Sequence, residues 1–287
     1  MGDRRLHEVA PQRVGHEPLT RLFGYGPPMG AAVLTECDAD GVLTVTFNRP
    51  ERRNGWAEDL EEGYAAALTA AARDPRVRAV VVTGAGTTFC PGADLSRLGG
   101  LAEEGATLPH RPVDVARRFP KPLIAAVNGA CAGVGLVHAL FCHVRFAAEG
   151  ARFTTAFARR GLVAEYGIAW TLPRLVGVEN ALDLLLSARV VDAEEALRLG
   201  LVSRVVPRED VLGAAQDYAR DIARHCAPNA TAVIAAQVLD GLDQSFDEAL
   251  ARSYAEVDRV VGGPDLREGV LSFVEGRAPR FPPHVPD

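Results

Sequence analysis

Lys121-Pro122-Leu123-Ile124-Ala125-Ala126-Val127-Asn128-Gly129-Ala130-Cys131-Ala132-Gly133-Val134-Gly135 is the stretch on which the fold turns. Leu123 to Val127 is an unbroken apolar run between a proline and an Asn-Gly pair, as in a strand covered on both faces. Residues 129–135 are small and make a tight loop, and 134–142 continues as a helix. The same design occurs upstream. The apolar run Val77-Arg78-Ala79-Val80-Val81-Val82-Thr83 leads into Thr87-Thr88-Phe89-Cys90-Pro91-Gly92-Ala93-Asp94-Leu95. Glycines let a ligand approach the backbone closely. The first N–H groups of a helix lack intrahelical partners and lie at the positive end of its dipole. Two such groups aimed at one carbonyl oxygen would stabilise a developing oxyanion. Small residues between strand and helix also serve tight packing alone, so each loop by itself leaves both readings open.

Working outward, Val33-Leu34-Thr35 and Val42 to Phe47 flank Asp38-Ala39-Asp40-Gly41 and read as a hairpin. Residues 58–73 carry Leu60, Tyr64, Leu68 and Ala71 on one helical face. A helix-prone stretch covers 112–119, and Val144-Arg145-Phe146-Ala147 reads as a short strand. Beyond 157 helical patterns prevail: helices are expected at 208–226 and 228–241 and one long helix in the tail, with one strand at 201–206. Alternation early and helices late argue an α/β core with a helical C-terminal part. Residues 1–30 show no periodicity and read as a flexible arm, with a core over 31–205 and a helical region over 206–287.

The 287 residues suffice for a sizeable core, and 48% hydrophobic with 24% charged residues is ordinary for a globular chain. A net charge of −6 and no basic patch argue against a nucleic-acid or anionic-membrane partner. The five cysteines lack CxxC spacing, so neither a disulfide framework nor a zinc site is read; a reduced cytoplasmic chain is expected. No apolar run reaches the length of about 20 residues that spans a membrane.

Asn48-Arg49-Pro50-Glu51-Arg52-Arg53-Asn54, the loop 89–95, the segment 121–135, Ala196-Leu197-Arg198-Leu199-Gly200-Leu201-Val202, and Glu268, Gly269, Phe273, Arg277 and Phe281 together resemble the motifs of the crotonase superfamily, in the same order. The superfamily includes enoyl-CoA hydratases and isomerases, and the resemblance covers about 33–281. It implies a spiral of strand–strand–helix repeats with a C-terminal helical region that packs into trimers or a dimer of trimers. It implies coenzyme A as part of the substrate, with no metal and no prosthetic group. Carried over, the oxyanion N–H groups come from Ala93 and Val134. Arg52, Arg53, Asn54, Cys90, Pro91 and Gly92 lie along the coenzyme, and Phe273 and Arg277 near its nucleotide end.

The two glutamates of the hydratase pattern are absent, since their positions hold Val137 and Phe157. Neither side chain can orient water or supply a proton. Glu165, eight residues after Phe157, stands where one branch of the superfamily has its catalytic acid. Isomerases of the peroxisomal type and of bacterial phenylacetate breakdown resemble this arrangement. The resemblance thus implies a 3-enoyl to 2-enoyl-CoA isomerase with Glu165 as single base. A 2-enoyl-CoA hydratase and a non-catalytic acyl-CoA-binding relative stand as alternatives. The mostly apolar run from Leu162 to Trp170 is expected to raise the Glu165 pKa. Glu165 also reads as a cap for a helix starting near Gly167. His138 reads as a satisfied core residue, Cys90 and Cys131 as packing, and His143 as a contact of Arg145 or a neighbour. Trp56 and Tyr166 are candidates for the acyl pocket.

Overall fold

The computed structural model describes residues 31–94, 98–100 and 115–283. The expected arm, Leu95 and residues 112–114 of the helix-prone stretch lie outside them; residues 115–118 form a turn. Strands β1 (Val33–Cys37) and β2 (Val42–Phe47) pair antiparallel with Val33 opposite Phe47. Helix α1 (Glu58–Arg73) follows and buries the face Leu60, Tyr64, Leu68 and Ala71. Strands β3 (Ala79–Gly84), β5 (Leu123–Val127), β7 (Val144–Ala148) and β10 (Arg204–Val206) complete a six-stranded sheet, parallel from β2 onward, in the order β1-β2-β3-β5-β7-β10.

Between these strands the chain visits a second sheet. Strands β4 (Thr88–Cys90), β6 (Ala130–Ala132), β8 (Arg152–Thr154) and β9 (Val191–Asp192) lie in that order, the first three parallel. The path β3 to β4, β5 to β6, helix α2 (Val134–Phe141), then β7 to β8 is a spiral of strand–strand–helix turns. Strands β4 and β6 fall inside the two stretches that read as loops.

Both faces of the large sheet are covered, which is why its strands are apolar without alternation. One face carries Leu43, Val45, Val80, Val82, Leu123 and Val127 into the main core with α1, α2 and the second sheet. The other carries Val42, Val81, Ile124 and Phe146 against helix α6 (Val211–His225). That helix packs within its own chain through Val211, Ala215, Ala219 and Ala223.

Helices α3 (Ile168–Val176), α4 (Val178–Ser187) and α5 (Ala193–Arg198) lie between β8 and β10. The tail holds α7 (Pro228–Gly241) and then two helices where one was expected, α8 (Phe246–Val260) and α9 (Pro264–Glu275). Gly262-Gly263-Pro264 separates them, a proline being favoured at a helix start and not inside one. Phe246, Tyr254, Phe273 and Val274 on α8 and α9 are exposed. Among the described residues no helix is long and apolar enough to cross a membrane.

Candidate active site

The three parallel strands of the second sheet end at one place. Pro91-Gly92-Ala93 follows β4, Gly133 and the start of α2 follow β6, and Ala156 and Phe157 come just after β8. The carboxyl ends of parallel strands are the usual place for a ligand in an α/β fold. Here they border a cavity of about 680 Å³. Its wall includes Arg52, Arg53, Pro91, Gly92, Ala93, Val134, Phe157, Arg160, Leu162, Glu165 and Tyr166.

The backbone sets the two loops. Trp56 N–H donates to the carbonyl of Gly92 at 2.8 Å, and Asp94 N–H donates to the carbonyl of Trp56 at 2.9 Å. The residue between, Ala93, keeps its N–H out of this bridge. In the other loop Gly133 N–H donates to Thr154 at 3.1 Å, and Val134 is the first residue of α2. Among the described residues no backbone carbonyl accepts from Ala93 or Val134 N–H. Both residues border the cavity, so two uncommitted donors stand on one wall, one of them at a helix N-terminus. Asp94 is buried with its carboxylate 3.4 Å from Arg49, whose Nη1 also donates to Gly55 at 2.7 Å. This pair anchors the first loop to the end of β2.

Glu165 borders the same cavity and is half-buried. Its neighbours Tyr166 and Gly167 have φ of 53° and 73°, and Ile168 N–H donates to the Glu165 carbonyl at 3.0 Å. That is a tight turn with both central residues left-handed. It carries Glu165 outside α3, whose N-cap is Gly167 with no side-chain cap. The capping role is therefore not what the turn provides. Nor is the run around Glu165 fully apolar in its surroundings, for Val163 is 81% exposed while Ile168 is buried.

The residues expected along the coenzyme divide. Arg52, Arg53, Pro91 and Gly92 border the cavity. Asn54 is fully buried and clamps three backbone segments: Oδ1 accepts from Arg49 N–H, and Nδ2 donates to Ala85 and to Thr88 at 3.0 and 2.7 Å. Cys90 is also fully buried, its thiol pushed up to about 12 by burial. Both side chains stand behind the wall and do not border the cavity, because the polar one is saturated by backbone and the thiol is packed. Burial raises the Cys131 thiol as well, so neither cysteine offers a thiolate. Phe273 and Arg277 do not border the cavity of their own chain. Phe273 is exposed on α9, and Arg277 pairs with Glu268 at 2.6 Å.

Val137 lies in the core and Phe157 forms cavity wall. Trp56 and Tyr166 border the cavity, and so does Arg160, which was not among the expected site residues; the adjacent pair Arg159-Arg160 was its only signal. His138 is buried, but neither ring nitrogen has a hydrogen-bond partner among the described residues. It is not a satisfied core histidine. His143 takes Leu123 N–H on Nδ1 at 3.1 Å, while Arg145 binds the carbonyls of Cys142 and Leu201. Of the two contacts expected for His143, its hydrogen bond goes to a neighbour, the backbone of β5, while Arg145 acts on it through charge. Among the described residues no cluster of His, Cys, Asp or Glu could hold a metal ion.

With this geometry in hand, similarity to known proteins is informative. The family model described as "Enoyl-CoA hydratase/isomerase" matches residues 38–283. The 1,2-epoxyphenylacetyl-CoA isomerase of Escherichia coli (strain K12) is 33% identical over 250 residues, covering 84% of this chain and 95% of its own. An enoyl-CoA hydratase of Alternaria alternata is 34% identical over 251 residues, covering 85% and 84%. The crystal structure of an enoyl-CoA hydratase from Polaromonas sp. JS666 superposes with a TM-score of 0.81 at 30% identity, covering 87% of this chain and 99% of that one.

Proposed function

Because the chain belongs to the enoyl-CoA hydratase/isomerase family, and is therefore a crotonase-type enzyme acting on acyl-CoA thioesters, we propose that it shifts a double bond from 3-enoyl- to 2-enoyl-CoA with Glu165 as the only base. The thioester oxygen sits between the N–H groups of Ala93 and Val134, which stabilise the charge that develops on it. Glu165 takes a proton from C2, the C3–C4 double bond moves to C2–C3 through the dienolate, and Glu165 returns the proton to C4. Atoms balance without water or an oxidant. The observation that carries this reading is that Glu165 borders the same cavity as both loops, while Phe157 makes apolar wall and Val137 lies in the core. Arg52 and Arg53, exposed on the same wall, supply cations for the phosphates of coenzyme A.

The test is to offer the enzyme 3-enoyl-CoA and 2-enoyl-CoA and to identify the products. Isomerisation of the first without hydration of the second is expected. Hydration without isomerisation would establish the hydratase reading instead, and binding without turnover of either would favour a non-catalytic role. The Escherichia coli relative is named for an epoxidised phenylacetyl thioester, so an aryl acyl-CoA belongs in the same assay. The exposed apolar residues of α7 to α9 support a trimer or a dimer of trimers, and the part of Phe273 and Arg277 in holding the nucleotide then needs a second protomer. Light scattering that gives a monomer at micromolar concentration would reject the assembly.

A further inference from the structure

The two loops are joined by a contact that the reaction itself does not use. The rings of Trp56 and His138 are stacked, with centroids 4.2 Å apart and planes 24° from parallel. Trp56 is bonded through its backbone to both neighbours of Ala93. His138 lies four residues after Val134 on α2, on the same face one turn along. Tyr64 meets both rings edge-on, at 6.0 Å from Trp56 and 5.4 Å from His138. The stack thus links the residue that bridges the first loop to the helix that begins with the second.

This cluster is polar where a mere packing cluster would be apolar. Trp56 Nε1, Tyr64 Oη and both His138 ring nitrogens are buried without a protein partner among the described residues, and each such atom is costly unless something pairs it. A void of about 20 Å³ lies among Trp56, Glu61, Tyr64 and His138. One water fits a void of that size when polar groups surround it. The indole N–H donates to it, the phenol donates or accepts, and the imidazole meets it through one ring nitrogen, as donor or acceptor by tautomer, since burial keeps the ring neutral. Trp56 borders this void and the substrate cavity alike.

We propose that Trp56 and His138 are positioning residues of the oxyanion hole: their stacked rings, tied to Tyr64 through one buried water, fix the N–H of Ala93 relative to that of Val134. This rests on the reading of those two N–H groups given above. A displacement of about 1 Å at a reacting centre costs about 10²-fold in rate, so a rigid link between two separate loops is worth that order.

The experiment is infrared difference spectroscopy of butanoyl-CoA carrying ¹³C at the thioester carbonyl, bound to the full-length wild-type, His138→Gln, His138→Phe and Glu165→Gln enzymes. The carbonyl band of the wild-type complex is expected well below its value in solution. His138→Gln removes the stack; its band should move back toward the solution value, and turnover of 3-enoyl-CoA should fall about 10–10²-fold with KM within about threefold. His138→Phe keeps a stacked ring and should restore most of both. A folded His138→Gln enzyme with wild-type band and turnover overturns the proposal, and so does a His138→Phe enzyme no better than it. If His138→Gln does not fold, Trp56→Phe replaces it: a shorter ring should shift the band part of the way, and an unshifted band overturns the proposal equally. The band reports the donors whichever group is the base. Full turnover by Glu165→Gln would therefore remove the base while the His138 variants still decide the positioning role.

Discussion

Gly92 and Gly133 face each other at the meeting of the two loops, with φ of 104° and 50°; a Cβ on Gly133 would stand 3.7 Å from Gly92 Cα, and one on Gly92 would stand 3.2 Å from the carbonyl oxygen of Ala132. The N–H groups of Ala93 and Val134 each follow directly on one of these glycines. Their approach thus depends on two residues without side chains in a backbone conformation that other residues adopt at a cost. Gly92→Ala should lower stability by about 1–3 kcal/mol and turnover by about 10²-fold, the rate loss exceeding what the fraction unfolded explains. Urea unfolding and kcat on the same preparation check it; normal turnover in a destabilised variant would show that the glycine contact does not set the donors.

Glu165→Gln keeps the shape of the side chain and loses its capacity to accept a proton. Turnover should fall by about 10²–10⁴-fold, the usual worth of general acid–base catalysis. Acyl-CoA affinity by calorimetry should change little, because Arg52 and Arg53 lie on another loop. Gly167, and not Glu165, is the N-cap of α3, and a thermal melt run before the assay separates a lost base from a lost fold. A well-folded variant that turns over at the wild-type rate would end the single-base mechanism.

Asn54→Ala should be costly to stability. It strips partners from Arg49 N–H and from the carbonyls of Ala85 and Thr88 at a fully buried position with φ of 60°. Unpaired buried groups cost about 1–3 kcal/mol each, so a loss of about 3 kcal/mol or more is expected in denaturant unfolding. Arg53→Ala, exposed on the cavity wall, should leave the unfolding midpoint in place and weaken coenzyme A binding.

Acid should destabilise the fold through two histidines. Burial pulls His138 down to about 3 and His143 down to about 4, the latter helped by Arg145. In the unfolded chain both titrate near about 6.5. Below that value the unfolded state binds protons that the folded state refuses, so stability is present above about pH 6.5 and declines as pH falls toward 4. The slope is about 1.4 kcal/mol per pH unit for each histidine once both are engaged. Urea midpoints at pH 7, 6 and 5 measure it, and His138→Phe should show a shallower decline. A midpoint flat between pH 7 and 5 would contradict the assignment of both rings as neutral.

How much of this was legible beforehand follows from the range of the forces involved. The strand Leu123–Val127, the helix Glu58–Arg73 and its buried face were readable from residues alone. A strand buried on both sides must be apolar throughout, and a helix packed on one side must repeat every third or fourth residue. The motif order gave the family and drew attention to Ala93, Val134 and Glu165. The second sheet was not readable: Thr88–Cys90, Ala130–Ala132 and Arg152–Thr154 are too short to show a period. They are strands only because Thr88 finds Ala130 and Ala130 finds Arg152 across long stretches of chain. Tertiary structure likewise decided that Asn54 and Cys90 stand behind the wall while Arg160 stands on it, and that His138 stacks on Trp56. Local preference acts over a few residues and is written in their order. Which side of a wall a side chain occupies depends on partners distant in sequence, and only the folded chain brings those together.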